Sequence, residues 1–435
     1  MLKRSIALAG AAALVTVLGA QTASAGSVRA GGVANVQIAW ADAEHTTIRI
    51  TWTESAPAAN TLVLHSNSSP DVFVFGHTTI GQNNEYLLDS AVFAVTTERA
   101  ETNWIEVTDG SATPGRSKDF DRFNYAGGGV TVAFTAGDTV RWTLPADTTT
   151  DPTPDDPLDL PRIYTYAPQL RTADSSSTTA ACDAVDLPQT TAPTGTVPNP
   201  AKPYNVHIEV RNEWGTTFGP IPRGETTKSI TIAGPTATKY GETTTLTGVM
   251  TGSTLREQGR PQMCEEITGP VQNQPVVIQQ RTSPAAAWTT VGSTKTDASG
   301  KYTAIVKNPG HREYRVLRLN SASDGRASYG VIGGSTSVRA TTRVVSAKFI
   351  NPVITFGTQP QAYLWVDPAG TQKAALQFKN ASGAWQGVAY KTLYAGRGLL
   401  AFPWNKRGAT QFRWWIPATA TADATYSGVF TLTVR

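Results

Sequence analysis

The chain has 435 residues with a net charge of +4, and 16% of its residues are charged. At roughly 100–200 residues per domain, this length excludes a single ordinary core and fits two to four domains. With 38 Gly and 27 Pro, the composition suits short strands joined by turns and disfavours long helices.

The first residues combine Lys3 and Arg4, an apolar run from Ile6 to Ala20, and small residues ending at Ala23-Ser24-Ala25. That is the pattern of a secretory signal peptide, residues 1–25, cleaved after Ala25. No later stretch reaches the roughly 20 apolar residues of a membrane span. No Cys follows the cleavage site, which removes the lipoprotein reading, and the chain ends in strand-like residues from Phe430 to Val434. The expectation is export, followed by release or non-covalent attachment to the cell surface.

The first half of the mature chain carries strand signals at IRITW (48–52), VFVF (72–75), NWIEV (103–107), VTVAF (130–134) and YNVHIEV (204–210). Several alternate apolar and polar at period two, as half-buried antiparallel strands do. IRITWTES (48–55) and VRWTLPAD (140–147) read as one strand twice, which makes Trp52 and Trp142 core residues between sheets. NWIEVTDGSATPG (103–115) and YNVHIEVRNEWGTTFGP (204–220) form a second such pair. The latter resembles the closing strands of a fibronectin type III domain through Tyr204, Val210, Asn212 and Gly215. The resemblance implies two such sandwiches, at about 28–127 and 128–227. Two polar, Pro-rich insertions, TLPADTTTDPTPDDPLDL (143–160) and TTAPTGTVPNPAKP (190–203), are expected to be extended and mobile.

The second half repeats itself. PVVIQQRTSPAAAWTTVGSTKTDASGKYTAIV (275–306) and AALQFKNASGAWQGVAYKTLYAGRGLLAFPW (374–404) match in a strand, a turn, Trp288 with Trp385, Thr296 with Thr392 and Gly300 with Gly398. REYRVLRL (312–319) then aligns with TQFRWWIP (410–417). The unit resembles the bacterial immunoglobulin-like repeats of actinobacterial extracellular proteins, with a Trp, a Val and an Asp–Gly–Tyr hairpin. In the second copy that Asp is replaced and Tyr302 becomes Leu400. Two immunoglobulin-like repeats, 228–340 and 341–435, follow from this, and the whole is read as an all-β string of four immunoglobulin-like or fibronectin type III-like β-sandwiches.

Cys182 and Cys264 are the only cysteines, and export would place them where disulfides persist. A bond between them would close an 82-residue separation, stabilise by about 4 kcal/mol in the chain-entropy model, and staple the second domain to the third. Two separate buried thiols are the alternative.

Catalytic equipment is sparse. The five histidines lack metal-ligand spacing, and there is no G-x-S-x-G elbow, Walker loop or C-x-x-C pair. Gly396-Arg397-Gly398-Leu399-Leu400-Ala401 fits a dinucleotide pattern, but Pro403 follows where a helix would have to begin. Glycosidases need two converging carboxyl groups. Glu106, Asp109, Asp119 and Asp121 are the candidates, set against ordinary exposed strand and loop roles. Asp147, Asp151, Asp155, Asp156 and Asp159 could gather calcium, yet Pro152, Pro154 and Pro157 argue for a solvated acidic loop. The reading is a non-enzyme with no cofactor and no metal.

Charge is unevenly placed. Residues 228–435 hold 23 basic and 9 acidic residues, whereas 28–227 hold 12 basic and 24 acidic. The last repeat has ten basic, two acidic and five of the eleven tryptophans. Trp385 aligns with Trp288 and is assigned to core packing. Successive strand residues face opposite ways, so one of Trp414 and Trp415 should face outward. Trp404, Lys406, Arg407, Arg413, Trp414 and Trp415 are therefore the candidate binding residues, for a sugar ring or an anionic polymer.

The function expected is a secreted structural, adhesive or binding protein of the cell envelope or extracellular space. Its basic end would contact cell-wall polymer, polysaccharide or another surface protein. A carbohydrate-binding accessory module is one alternative, and an unrecognised enzyme or inhibitor is another. Acidic front and basic rear could also meet head to tail in self-association, and export disfavours nucleic acid as a partner.

Overall fold

The computed structural model describes residues 32–435 apart from 112, 126, 162, 175–180, 260 and 261; the expected signal peptide lies outside them. Among the described residues the chain is built from strands, with one helical turn at Ser90–Val92. No helix among them is long and apolar enough to cross a membrane. The chain divides into two compact units. Among the described residues, unit 1 is residues 32–123 together with Thr150–Leu160, and unit 2 is Asn124–Thr149 with Pro161–Arg435.

Unit 1 contains β1 (Val33–Trp40), β2 (Thr47–Glu54), β3 (Thr61–Ser66), β4 (Ser69–His77), β5 (Glu85–Asp89), β6 (Asn103–Thr108) and β7 (Gly115–Arg116). They form two sheets, ordered β1-β2-β5 and β4-β3-β6-β7, the three-plus-four division of a fibronectin type III-like sandwich. The alternation in β2 explains its placement. Ile48, Ile50 and Trp52 are buried between the sheets, while Arg49 points outward to pair with Glu85 at 3.0 Å.

The Pro-rich insertion is not a mobile loop. Although it lies between strands of unit 2 in sequence, Thr150–Leu160 folds with unit 1. Leu158 is fully buried there, and Trp40 donates its indole N–H to the Leu158 carbonyl at 2.8 Å. Its aspartates bond to their own chain two residues on: Asp151 accepts from the Thr153 N–H and Asp156 from the Leu158 N–H. Prolines that pre-set φ and carboxylates that satisfy local N–H groups give this segment one shape without a regular ladder. The second insertion is ordered as well, because it supplies strand Thr194–Val197 with Val197 fully buried.

Unit 2 begins with a sandwich of the same plan: β8 (Thr131–Phe134), β9 (Val140–Thr143), β10 (Thr165–Ala173), β11 (Cys182–Asp186), β12 (Thr194–Val197), β13 (Tyr204–Asn212) and β14 (Gly215–Phe218). The sheets run β12-β9-β8 and β11-β10-β13-β14. Trp142 fills the centre and lies over Gly195, where a Cβ would come within 2.6 Å of the ring.

The next sandwich contains β15 (Arg223–Ile230), β16 (Ala237–Lys239), β17 (Thr243–Gln258), β18 (Met263–Pro270), β19 (Pro275–Arg281), β20 (Thr289–Lys295), β21 (Lys301–Lys307), β22 (Arg312–Arg318), β23 (Ser321–Ser323), β24 (Arg326–Tyr329) and β25 (Val331–Thr341). One layer pairs β15-β17-β21 and the other runs β16-β25-β22-β19-β20. The last sandwich contains β26 (Arg343–Phe349), β27 (Val353–Ile354), β28 (Gln361–Asp367), β29 (Gln372–Lys379), β30 (Trp385–Leu393), β31 (Arg397–Ala401), β32 (Gly408–Ile416), β33 (Thr425–Tyr426) and β34 (Phe430–Val434). Its layers, β26-β28-β31 and β27-β34-β32-β29-β30, repeat that plan down to the short parallel pair, β16 with β25 and β27 with β34. The sequence repeat is thus two copies of one immunoglobulin-like core, β19 to β22 and β29 to β32.

Within unit 2, the middle sandwich lends two hairpins to the one before it. The first is the overlong β17 with β18, whose tip carries Cys264, disulfide-bonded to Cys182 on β11. The second is β23–β24: β24 runs parallel to β15 and buries Ala327 and Tyr329 beside Trp142 and Tyr204. The Tyr204 and Tyr329 hydroxyls meet at 3.1 Å, and burial pushes the Tyr204 hydroxyl well above its ordinary pKa.

Candidate functional site

The outer face of the last sandwich gathers the aromatic and basic residues. Across β29 and β32, Gln377 pairs with Arg413 and Ala375 with Trp415; Ala375 also pairs with Tyr390 on β30, and Trp415 with Tyr426 on β33. Directly paired residues share a face, so Tyr390, Ala375, Trp415 and Tyr426 form one row and Gln377 with Arg413 the next. The Arg413 guanidinium lies 4.3 Å from the Trp385 ring centre and 3.8 Å from that of Tyr426, and Gln377 accepts its Nε–H at 2.9 Å. Lys373 lies 5.1 Å from the Tyr390 ring. Tyr390 and Tyr426 are more than half exposed, at 62% and 51%. The face thus carries two cations lying over its rings, Arg413 over Trp385 and Tyr426 and Lys373 over Tyr390.

The structure separates the six residues picked out by sequence. Arg413 and Trp415 lie on this face, both half-buried. Trp414 is fully buried and Trp404 is 8% exposed; both pack in the core with Phe412, so neither offers a ring to a ligand. Strand parity turns Trp414 inward, and Trp404 packs edge-on against Phe378. Lys406 lies over Phe378 and Trp404, and Arg407 over Phe356. Lys406 thus caps the core edge and Arg407 covers the exposed Phe356 ring, instead of joining the outer row.

Trp385, assigned from sequence to the core, is half-buried on the outer face, as is Trp288. Trp288 has a guanidinium on it from each of Arg281 and Arg315, both at 4.4 Å, and Gln279 accepts from Arg315 at 2.9 Å. The repeated motif is therefore Trp–Arg–Gln on an outer face, not a core tryptophan. Its signal in the sequence was the shared Arg315 and Arg413, each an even number of residues from its solvent-facing strand neighbours.

The four carboxylates of the acidic half picked out by sequence each have a local partner. Glu106 faces His65 at 3.4 Å, Asp119 pairs with Arg116 at 2.5 Å, and Asp121 pairs with Arg99 at 3.2 Å. Asp109 closes a turn, where hydrogen bonds from Ser111 hold its carboxyl below the ordinary value. Asp121, Asp151 and Asp159 do bring carboxylate oxygens within 4.8 Å of one another. Arg99 lies against Asp121 and, at 3.5 Å, Asp151, placing a positive charge beside the cluster. Asp147 and Asp156 serve other bonds, Asp147 taking the Tyr164 hydroxyl and Asp156 the Asp121 N–H. Burial raises the Asp156 pKa to about 7.

No family model matches the chain, and no curated protein matches it. Among solved structures, the FN1–FN3 domains of chicken CNTN1 are similar over 71% of this chain and 99% of that one, at 10% sequence identity and a TM-score of 0.23. At that score the strand order described above, and not the overlap, carries the fold assignment.

Proposed function

We propose that this is an exported, non-catalytic binding or adhesive protein of the cell envelope or extracellular space, and that the outer face of its last sandwich binds an anionic polysaccharide. The observation that supports the reading is the row of exposed Tyr390, half-buried Trp415 and exposed Tyr426, with Arg413 and Trp385 beside it. Both acidic residues of this sandwich are already in ion pairs, Asp367 with Arg343 and Asp423 with Arg339. Its other basic residues therefore have no internal counter-charge among the described residues. Aromatic faces stack on sugar rings while the cations attract the polymer's acid groups.

The test is retention of the full chain on insoluble anionic and neutral polysaccharides at low and high salt. Retention on the anionic polymer that falls steeply with salt and is lost in Trp415→Ala is expected. A second reading, recognition of a neutral polysaccharide, is favoured by the exposed rings of Tyr390 and Tyr426 in the row. It would give salt-insensitive retention on the neutral polymer. No retention on either would overturn both.

A further inference from the structure

Arg318, at the end of β22, is 4% exposed. Its Nη1 donates to the Thr227 hydroxyl at 2.9 Å and its Nη2 to the Gln274 amide oxygen at 3.0 Å, both neutral acceptors. Its Nε–H has no acceptor, and among the described residues it makes no ion pair. Glu225 is engaged elsewhere, with Arg326 at 3.2 Å and the Ser328 hydroxyl at 3.4 Å. A buried guanidinium without a counter-charge in contact is costly, because burial favours the neutral form; here desolvation lowers its pKa, and the charge of Glu225, acting without contact, offsets only part of that.

The fold does not require a cation at this position. In the repeat alignment Arg318 matches Ile416, which is fully buried at the end of the equivalent strand β32. One copy of the core therefore fills this place with hydrocarbon, and the other holds a charge there. The charge also borders a cavity. A space of about 310 Å³ opens beside Arg318, with Arg326, Glu225, Ser253, Thr254 and Gln274 in its wall. That lies near the small end of ligand sites, which run from about 300 to 1,000 Å³. Two arginines against one glutamate leave the wall with a single positive excess, and the neighbouring hydroxyl and amide groups suit a ligand carrying hydroxyls.

We propose that this cavity binds a small hydroxylated carboxylate of the uronic acid class, its carboxylate supplying the direct ion pair that Arg318 lacks. A planar guanidinium matches a carboxylate in a two-bond geometry. The site is separate from the aromatic face of the last sandwich, and its test does not depend on that face.

The experiment is calorimetric titration of the full chain with D-glucuronate, D-glucose, acetate and inorganic phosphate. Glucuronate is expected to bind with a Kd of about 0.1–1 mM and glucose at least about tenfold more weakly. Arg318→Met removes the charge at similar length. Gly269→Phe blocks the cavity from its rim, where an added Cβ meets no atom within 4 Å. Both variants should abolish glucuronate binding. Without ligand, Arg318→Met should melt at the same temperature as the parent chain or higher, since it relieves a buried charge. Several results would overturn the proposal: no saturable glucuronate binding, binding unchanged in Gly269→Phe, phosphate or acetate binding as tightly as glucuronate, or a large loss of ligand-free stability in Arg318→Met.

Discussion

Glu257 and Cys264 are cross-strand partners near the tip of the β17–β18 hairpin. Cys264 carries the disulfide to Cys182, and the Glu257 carboxylate takes the His207 Nε2 at 2.9 Å and the Asn205 amide at 2.8 Å, with Arg171 3.6 Å away. A covalent and a polar tie therefore hold one hairpin against β10, β11 and β13. Replacing both cysteines by serine should lower the stability of unit 2 by about 2–4 kcal/mol. Glu257→Gln in that background should cost more than in the parent chain, because the two ties then no longer support each other. Urea unfolding of the four chains in the cycle measures the coupling. Strictly additive losses would mean that the ties act independently.

Leu158 carries the largest apolar burial of the segment 150–160. Leu158→Ala should destabilise unit 1 by about 2–4 kcal/mol and expose the segment to proteolysis. Peptide mapping after limited digestion reads the second effect. Cleavage between residues 150 and 160 in the parent chain, at the same rate as in the variant, would show that the segment is not held.

Asp156 gives unit 1 a pH dependence of definite sign. Its folded pKa, about 7, lies above the ordinary carboxyl value of 3.8, so between those values the folded chain holds a proton that the unfolded chain has lost. Stability contributed by this group is complete below about pH 4 and declines as pH rises toward 7. The total is of order 4 kcal/mol. Thermal unfolding at pH 5 and pH 7.5 should show the decline, and Asp156→Asn, which cannot ionise, should show less of it. An equal decline in both chains would assign it to other groups.

The sandwiches were legible because their strands alternate strictly: Ile48, Ile50 and Trp52 face inward, as do Tyr302, Ala304 and Val306. Asp297 and Gly300 were legible as a turn for a local reason. The Asp297 carboxylate accepts the Ser299 and Lys301 N–H groups, and Gly300 adopts a φ of +74°. The 150–160 segment was not legible, because its order comes from side-chain bonds and one buried Leu158, neither of which has a period. The loan of hairpins was hidden for a related reason: Tyr329 belongs by sequence to the repeat but packs beside Tyr204, 125 residues earlier. Arg318 was overlooked because a lone Arg in a strand carries no sign that its neighbours will close over it. On the candidate face, parity alone placed one of Trp414 and Trp415 outward, and it erred at Trp385 only where alignment was taken to mean burial.

Trp414 and Trp415 give the sharpest contrast available to a test, being adjacent in sequence and opposite in environment. Trp414 is fully buried against Phe412 and its neighbours, so Trp414→Ala should cost about 3–5 kcal/mol through the cavity it leaves. Trp415 lies half-buried in the outer row beside Ala375 and Tyr426. Trp415→Ala should therefore cost about 1 kcal/mol or less while removing retention on anionic polysaccharide. Chemical unfolding and retention measured on the same two variants distinguish the roles. If Trp415→Ala kept full retention, the aromatic row would not be the contact surface. If it were as destabilised as Trp414→Ala, the outer stack would be part of the sandwich's own support.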